Sequence, residues 1–194
     1  MNKKSPLIWN PFQRIAGWQA LAWGMAGLLL STVLSYLASY HYNGLLQFGA
    51  PRASSFWVYL GEHLVVWLVP ALLFWVFGLI FSQSRIRMID VLGTVLFAQL
   101  PLLAGNVIAF TPPMQQLLHT DLSQSPLELL EQPWMVGVSA LGILTMFFMI
   151  WMLIWMFQAL KTSCNLKGAR LWIAYLVGVL GGDILTRIII SCIR

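Results

Sequence analysis

The hydrophobic pattern of the chain consists of five long apolar runs separated by short polar breaks. A helix that spans a bilayer needs about 20 mostly apolar residues. Five segments meet this length, at residues 15–40, 56–81, 89–110, 134–160 and 171–193. None of them alternates with the period of two that a membrane-spanning β-barrel requires. The pattern therefore predicts an all-α bundle of five transmembrane helices.

The composition supports lipid as the solvent of this chain. Of its 194 residues, 59% are hydrophobic and 9% are charged, whereas a soluble domain carries about 25% charged residues. The net charge of +5 does not indicate nucleic-acid binding, because the basic residues are scattered and no contiguous basic face results. We expect a single domain over residues 1–194 whose main partner is the lipid bilayer.

Basic residues concentrate in one set of loops. These loops hold Lys3, Lys4, Arg14, Arg85, Arg87, Lys161, Lys167 and Arg170. The other set holds Arg52 and Arg194, Arg187 if its side chain extends outward, and the acidic Asp121, Glu128 and Glu131. Because cytoplasmic loops are rich in Lys and Arg, this predicts a cytoplasmic N-terminus and an external C-terminus. Cys164 and Cys192 then lie on opposite sides, so we expect no disulfide between them.

A stripe of small residues follows one face of the first predicted span. Its members are Ala20, Gly24, Gly27, Ser31, Ser35 and Ser39, spaced by three or four. Such a face lets a second helix approach closely. The neighbour is either another helix of the same bundle, which we favour, or the same helix of a second copy in a homodimer.

Ionisable residues inside the spans are the main candidate for a functional site, because each is costly in lipid unless it is paired or hydrated. With about 1.5 Å of rise per residue, the depths of five polar residues overlap in the outer half of the bilayer. We predict a polar cluster of Glu62, His63, Asn106, Asp183 and Arg187. Asp183 and Arg187 are four residues apart and can pair on one helix face.

Two interpretations of this cluster stay open. It is either a structural ion pair that sets the register of the helices or a site for a proton, an ion or a lipid headgroup. Pro70 and Pro101 should kink the second and third spans, and breaks of this kind accompany binding sites in transporters. Gly and Pro are also common in ordinary membrane helices.

No catalytic or cofactor motif is present. The sequence lacks the metalloprotease, nucleophile-elbow, P-loop and dinucleotide-binding patterns, and its three histidines have no ligand-like spacing. The fourth span carries Met135, Met146, Met149, Met152 and Met156. Thioethers can bind copper(I), but without neighbouring His or Cys these residues indicate core or lipid contacts. We expect no enzyme activity, no cofactor and no metal.

Two stretches of the second half of the chain form recognisable motifs. The first is Ile-Asp-Val-Leu-Gly-Thr at residues 89–94, leading to Gln-Leu-Pro at 99–101. The second runs from Trp155 through Gln-Ala-Leu-Lys at 158–161 to Leu-Lys-Gly at 166–168 and a final span. Both stretches resemble the corresponding parts of bacterial members of the Yip family. The resemblance implies a five-span protein with a cytoplasmic N-terminus, here in a bacterial cytoplasmic membrane.

The resemblance also bears on partners. Eukaryotic Yip proteins are associated with Rab-type GTPases, but their Asp-Leu-Tyr-Gly-Pro motif and long N-terminal domain are absent here, which argues against a GTPase partner. We expect a non-enzymatic, membrane-organising or partner-binding protein that works through its helices. The alternative is a small transporter or channel for a proton, an ion or a lipid that uses the polar cluster.

Overall fold

The protein is described by a computed structural model that covers residues 9–49, 54–120 and 131–194. Its α-helices are α1 (Gly17–Ala38), α2 (Phe56–Phe81), α3 (Met88–Ala98), α4 (Leu103–Ile108), α5 (Pro112–His119), α6 (Met135–Ser163) and α7 (Gly168–Ile193). Short 3-10 helices cover Pro11–Gln13 and Leu100–Leu102. Among the charged residues discussed above, Lys3, Lys4, Arg52, Asp121 and Glu128 lie outside the described ranges.

The predicted all-α membrane fold is confirmed. Five helical segments are long and apolar enough to span a bilayer, namely Gly17–Ala38, Phe56–Phe81, Met88–Ile108, Met135–Ser163 and Gly168–Ile193. The second span matches its predicted bounds, whereas the fourth continues to Ser163 and the fifth already begins at Gly168. Polar residues at helix ends add no apolar signal, so the hydrophobic pattern does not reveal these extensions.

Successive spans run in opposite directions, which gives the bundle two ends. The basic end contains the α2–α3 and α6–α7 loops and the side chains of Arg85, Arg87, Lys161, Lys167 and Arg170. The hairpin end contains the segment between α1 and α2 and the C-terminal end of α7.

The stripe of small residues on α1 lies against α3 of the same chain. Ala20 is fully buried, and a Cβ at Gly24 would lie 2.6 Å from Leu96 Cγ and 2.9 Å from the backbone nitrogen of Phe97. Because real Cβ atoms do not approach backbone atoms this closely, only glycine allows α3 to pack at this distance. In the structure, Ala20 and Gly24 of the stripe therefore pack within the bundle.

A cross-helix hydrogen bond compensates for Pro70. The α2 helix continues through this proline, which has no N–H for the Val66 carbonyl four residues earlier. The Gln99 side-chain amide donates to that carbonyl instead, at 3.0 Å. Gln99 itself lies where the third span is interrupted, between α3 and the 3-10 turn that contains Pro101.

The α6 helix is the least packed of the five spans. In its most apolar window, 11% of the residues are buried, against 33–67% in the other four spans. Its buried residues are Met152, Met156, Ala159 and Leu160, all in the half nearer the basic end. In the half nearer the hairpin end, Gly137 lies against Pro113 of α5, and the exposed side chains face lipid or another membrane-embedded protein.

We predict that the stability effect of Gln99→Leu depends on Pro70. In the native sequence the substitution leaves the Val66 carbonyl unpaired and should cost about 1–3 kcal/mol. In a Pro70→Ala background the alanine N–H can bond to that carbonyl, so the additional loss should be much smaller. Thermal unfolding in detergent measures this coupling when the two single variants and the double variant are compared. An equal loss of stability from Gln99→Leu in both backgrounds would refute the prediction.

Candidate functional site

The segment between α1 and α2 folds back into the bundle. Ser39 ends α1 in a left-handed backbone conformation with φ of 55°, and the Tyr40 N–H bonds to the Ser35 carbonyl at 2.9 Å. The strands His41–Tyr42 and Phe48–Gly49 then pair as a short antiparallel hairpin. The helix thus ends at Ala38, two residues before the predicted end at Tyr40. The chain then turns toward the protein interior, where Tyr40 and His41 are buried.

Non-helical backbone that is buried inside a membrane protein requires partners for its polar groups. His41, Tyr42 and Leu45 of the hairpin are almost fully buried, with exposed fractions of 0%, 1% and 0%. Polar side chains from α2, the third span and α7 meet the hairpin there. They form three hydrogen-bonded groups, which we name after Glu62, His63 and Asp183.

The Glu62 group holds the start of the hairpin and the end of the chain. Glu62 is fully buried on α2. Its Oε1 accepts from His41 Nδ1 at 2.9 Å and from Arg194 Nε at 2.9 Å. Its Oε2 accepts from the Tyr42 N–H at 3.0 Å. Arg194 also donates to Asn43 Oδ1 and to the Tyr42 carbonyl, so one carboxylate joins α2, the hairpin and the end of α7.

The His63 group lies on the other side of Tyr42. His63 Nδ1 lies 2.8 Å from the Tyr59 carbonyl, which can only accept, so Nδ1 carries a proton. Its Nε2 lies 2.9 Å from Ser31 Oγ. The Asn106 amide donates to Ser31 Oγ, which fits a Ser31 hydroxyl that donates in turn to Nε2. This arrangement corresponds to a neutral His63 ring, assigned from its partners.

The hydroxyl groups of Ser35 and Tyr42 complete this group. Both donate to Asn106 Oδ1, at 3.2 and 2.9 Å. Burial raises the pKa of the Tyr42 hydroxyl above its ordinary value, so the phenol keeps its proton and acts as a donor. Each side chain of the His63 group is thereby provided with partners from this chain. Tyr42 also links this group to Glu62, through its backbone.

The Asp183 group fixes the turn of the hairpin. Asp183 Oδ1 accepts from the Leu46 N–H at 2.9 Å, and its Oδ2 pairs with Arg187 one helical turn later. The neighbouring Thr186 hydroxyl lies 3.3 Å from the Leu45 nitrogen and accepts from it. The fifth span thus supplies hydrogen-bond acceptors to two backbone N–H groups of the turn.

The structure divides the five predicted cluster residues among three groups. His63 and Asn106 share a hydroxyl network, Asp183 and Arg187 form their own pair, and Glu62 is paired with Arg194. The cation beside Glu62 is not Arg187. Sequence reasoning also missed the hairpin residues that link the groups, His41 and Tyr42, because the fold back at Ser39 leaves no signal in the hydrophobic pattern.

A small cavity lies beside the His63 group, where the third span is interrupted. Its volume is about 20 Å³, and its lining includes Ser31, Tyr42, His63 and Gln99. This volume suits a single water molecule. An ion with a hydration shell would need the surrounding helices to separate.

The described residues contain no group of three or more His, Cys, Asp or Glu side chains that could hold a metal ion. The methionines of the fourth span take different positions. Met152 and Met156 are fully buried in the core, whereas Met146 is 55% exposed on the apolar surface of α6. They therefore act as core and lipid-facing residues in this geometry.

Comparison with known families adds a match to the Yip1 domain over residues 6–185. The chain belongs to the Yip1 domain family. The matched segment includes Glu62, His63, Asn106 and Asp183 and ends before Arg187 and Arg194. Arg187 and Arg194, the arginine partners of the buried carboxylates, therefore lie after the segment that matches the family. No curated protein and no solved structure matches the chain.

We predict that Glu62→Gln destabilises the Yip1 domain far more than Arg187→Gln. Removal of one partner from a buried ion pair costs at most about 3–5 kcal/mol; Glu62 is fully buried, and the side chain of its partner Arg194 is 20% exposed. The Arg187 side chain is 48% exposed, and exposed ion pairs contribute about 1 kcal/mol or less. Thermal unfolding in one detergent compares the two variants. Equal losses would contradict the central role given to Glu62.

Proposed function

We propose that this Yip1-domain protein is a non-enzymatic, membrane-organising or partner-binding protein that contacts other membrane components through its helices. The observation that carries the proposal is the exposed surface of α6 in its half nearer the hairpin end. Between Met135 and Trp151 this helix has no buried residue, and Gly142 has open space where its Cβ would be. Small residues on an exposed helix let a second helix approach closely.

The hydrogen bonding of the polar groups supports the same proposal. Glu62, His63, Asn106 and Asp183 each bond to partners within the chain. A group already saturated by fixed partners has little capacity left for an ion or a substrate. The three groups serve, in this proposal, to hold the hairpin and the helices in register. A Rab-type GTPase is not among the partners we propose.

We predict a specific protein contact at Ile143 of α6. This side chain is 70% exposed next to the open surface at Gly142, and Ile184 of α7 is 59% exposed at a similar distance from the hairpin end. A photoreactive benzoylphenylalanine at position 143 should yield a discrete protein adduct in native membranes. The same group at position 184 should yield lipid adducts. Mass spectrometry of the irradiated membranes distinguishes these products, and identical products at both positions would count against the proposal.

Transport of a proton, an ion or a lipid is the second candidate function. The cavity beside the interrupted third span favours it, because broken helices accompany transport sites. Purified protein in proteoliposomes should give only background flux, and Asp183→Asn should change nothing but thermal stability. Flux by the native protein that Asp183→Asn abolishes would overturn the proposed function in favour of transport.

We also propose that the basic end faces the cytoplasm of a bacterial cell and the hairpin end faces outward. The support is the charge distribution. Arg85, Arg87, Lys161, Lys167 and Arg170 lie at the basic end, as the bias of basic residues toward cytoplasmic loops requires.

The two cysteines test this orientation. Cys192 is exposed at the hairpin end, whereas Cys164 is buried at the basic end. Burial raises the pKa of the Cys164 thiol to about 11, which keeps it in the unreactive thiol form near neutral pH. A membrane-impermeant maleimide should therefore label intact cells at Cys192, and Cys192→Ser should abolish the label. Labelling only after permeabilisation would reverse the orientation.

A further inference from the structure

A second cavity lies at the basic end, far from the hairpin. Its volume is about 530 Å³, and it lies between the α2–α3 loop and the start of α7. The Asn165 side-chain amide donates to Ser84 Oγ at 3.0 Å, so the two loops that form the walls are bonded to each other. The cavity is open to the surface, and its lining is mostly polar.

The lining of this cavity is suited to an anion. Its polar side chains are those of Ser82, Gln83, Ser84, Asn165, Lys167 and Arg170. None of the lining residues is acidic. Within the described part of the chain, neither of the two basic residues forms a salt bridge. Both positive charges are therefore available to a ligand.

The surroundings of the cavity distinguish a lipid from a soluble anion. Phe81, the last residue of α2, forms part of the lining. The adjacent Ile80 is 64% exposed, and Ile173 is 54% exposed. Ile173 follows Arg170 by three residues, so both lie on one face of α7. A polar cavity directly above an apolar helix surface matches a molecule with an anionic head and acyl chains.

We propose that this cavity binds the phosphate of an anionic lipid headgroup, with Lys167 and Arg170 as its cationic ligands. Arginine and lysine are the usual partners of phosphate, and Ser84 and Asn165 add a hydroxyl and an amide. The acyl chains would lie along Ile80 and Ile173. The inference depends on the basic end alone and stands whether or not α6 binds a partner.

Lipid binding by purified protein tests this site. Native mass spectrometry in detergent should show that the protein retains phosphatidylglycerol in preference to phosphatidylcholine. The double variant Lys167→Ala/Arg170→Ala should bind phosphatidylglycerol about thirtyfold more weakly. Ser84→Asp should weaken binding as well, because it adds a negative charge to the cavity while keeping an acceptor for Asn165.

The control variant is Arg87→Ala/Lys161→Ala. It removes the same charge from exposed positions at the same end, outside the lining of the cavity, and should bind phosphatidylglycerol nearly as well as the native protein. An equal loss in both double variants would overturn the site in favour of non-specific attraction. A second result would also overturn the lipid proposal. The protein would show no preference for phosphatidylglycerol, inorganic phosphate would stabilise it, and the cavity variant would lose that stabilisation. The phosphate would then come from a soluble anion.

Discussion

The hairpin between α1 and α2 places backbone N–H groups where little water can reach them. Other parts of the bundle supply the hydrogen-bond acceptors that these groups require. The N–H of Tyr42 bonds to Glu62, and that of Leu46 bonds to Asp183. A carboxylate in lipid is costly alone, and so is an unpaired N–H. Each carboxylate accepts a hydrogen bond from one of these N–H groups, so both polar groups gain a partner. Arg187 pairs with Asp183, and Arg194, which follows the fifth span, pairs with Glu62. The bonds from the two N–H groups connect the hairpin to α2 and α7.

A related constraint operates nearer the middle of the bundle. Pro70 removes an N–H from α2, and the amide of Gln99 supplies one from the third span. The same third span packs against α1 through the glycine at position 24. Pro70 and Gly24 would each weaken a single helix. In this bundle both positions provide contacts between helices. Packing and hydrogen bonding, rather than apolar contact alone, hold helices together in lipid.

The sequence predicted five spans because the length of an apolar run decides whether a helix can cross a bilayer. It also predicted overlapping depths for Glu62, His63, Asn106, Asp183 and Arg187, since depth follows from residue count. It could not assign their partners. Partners depend on which face each helix turns to its neighbours and on the fold back at Ser39. Arg194 illustrates the limit, because its pairing with Glu62 joins residues 132 positions apart.

That separation along the chain has a consequence for biogenesis. During synthesis at about 5–20 residues per second, the second span enters the membrane on the order of 10 s before Arg194 is made. His41 precedes Glu62 by 21 positions, so it is the one ring or guanidinium partner of this carboxylate already present. For that interval the nascent chain carries Glu62 while its arginine partner, Arg194, has not yet been synthesised. Synthesis of the fifth span and of Arg194 is then the step that supplies the last hydrogen-bond partners of the hairpin.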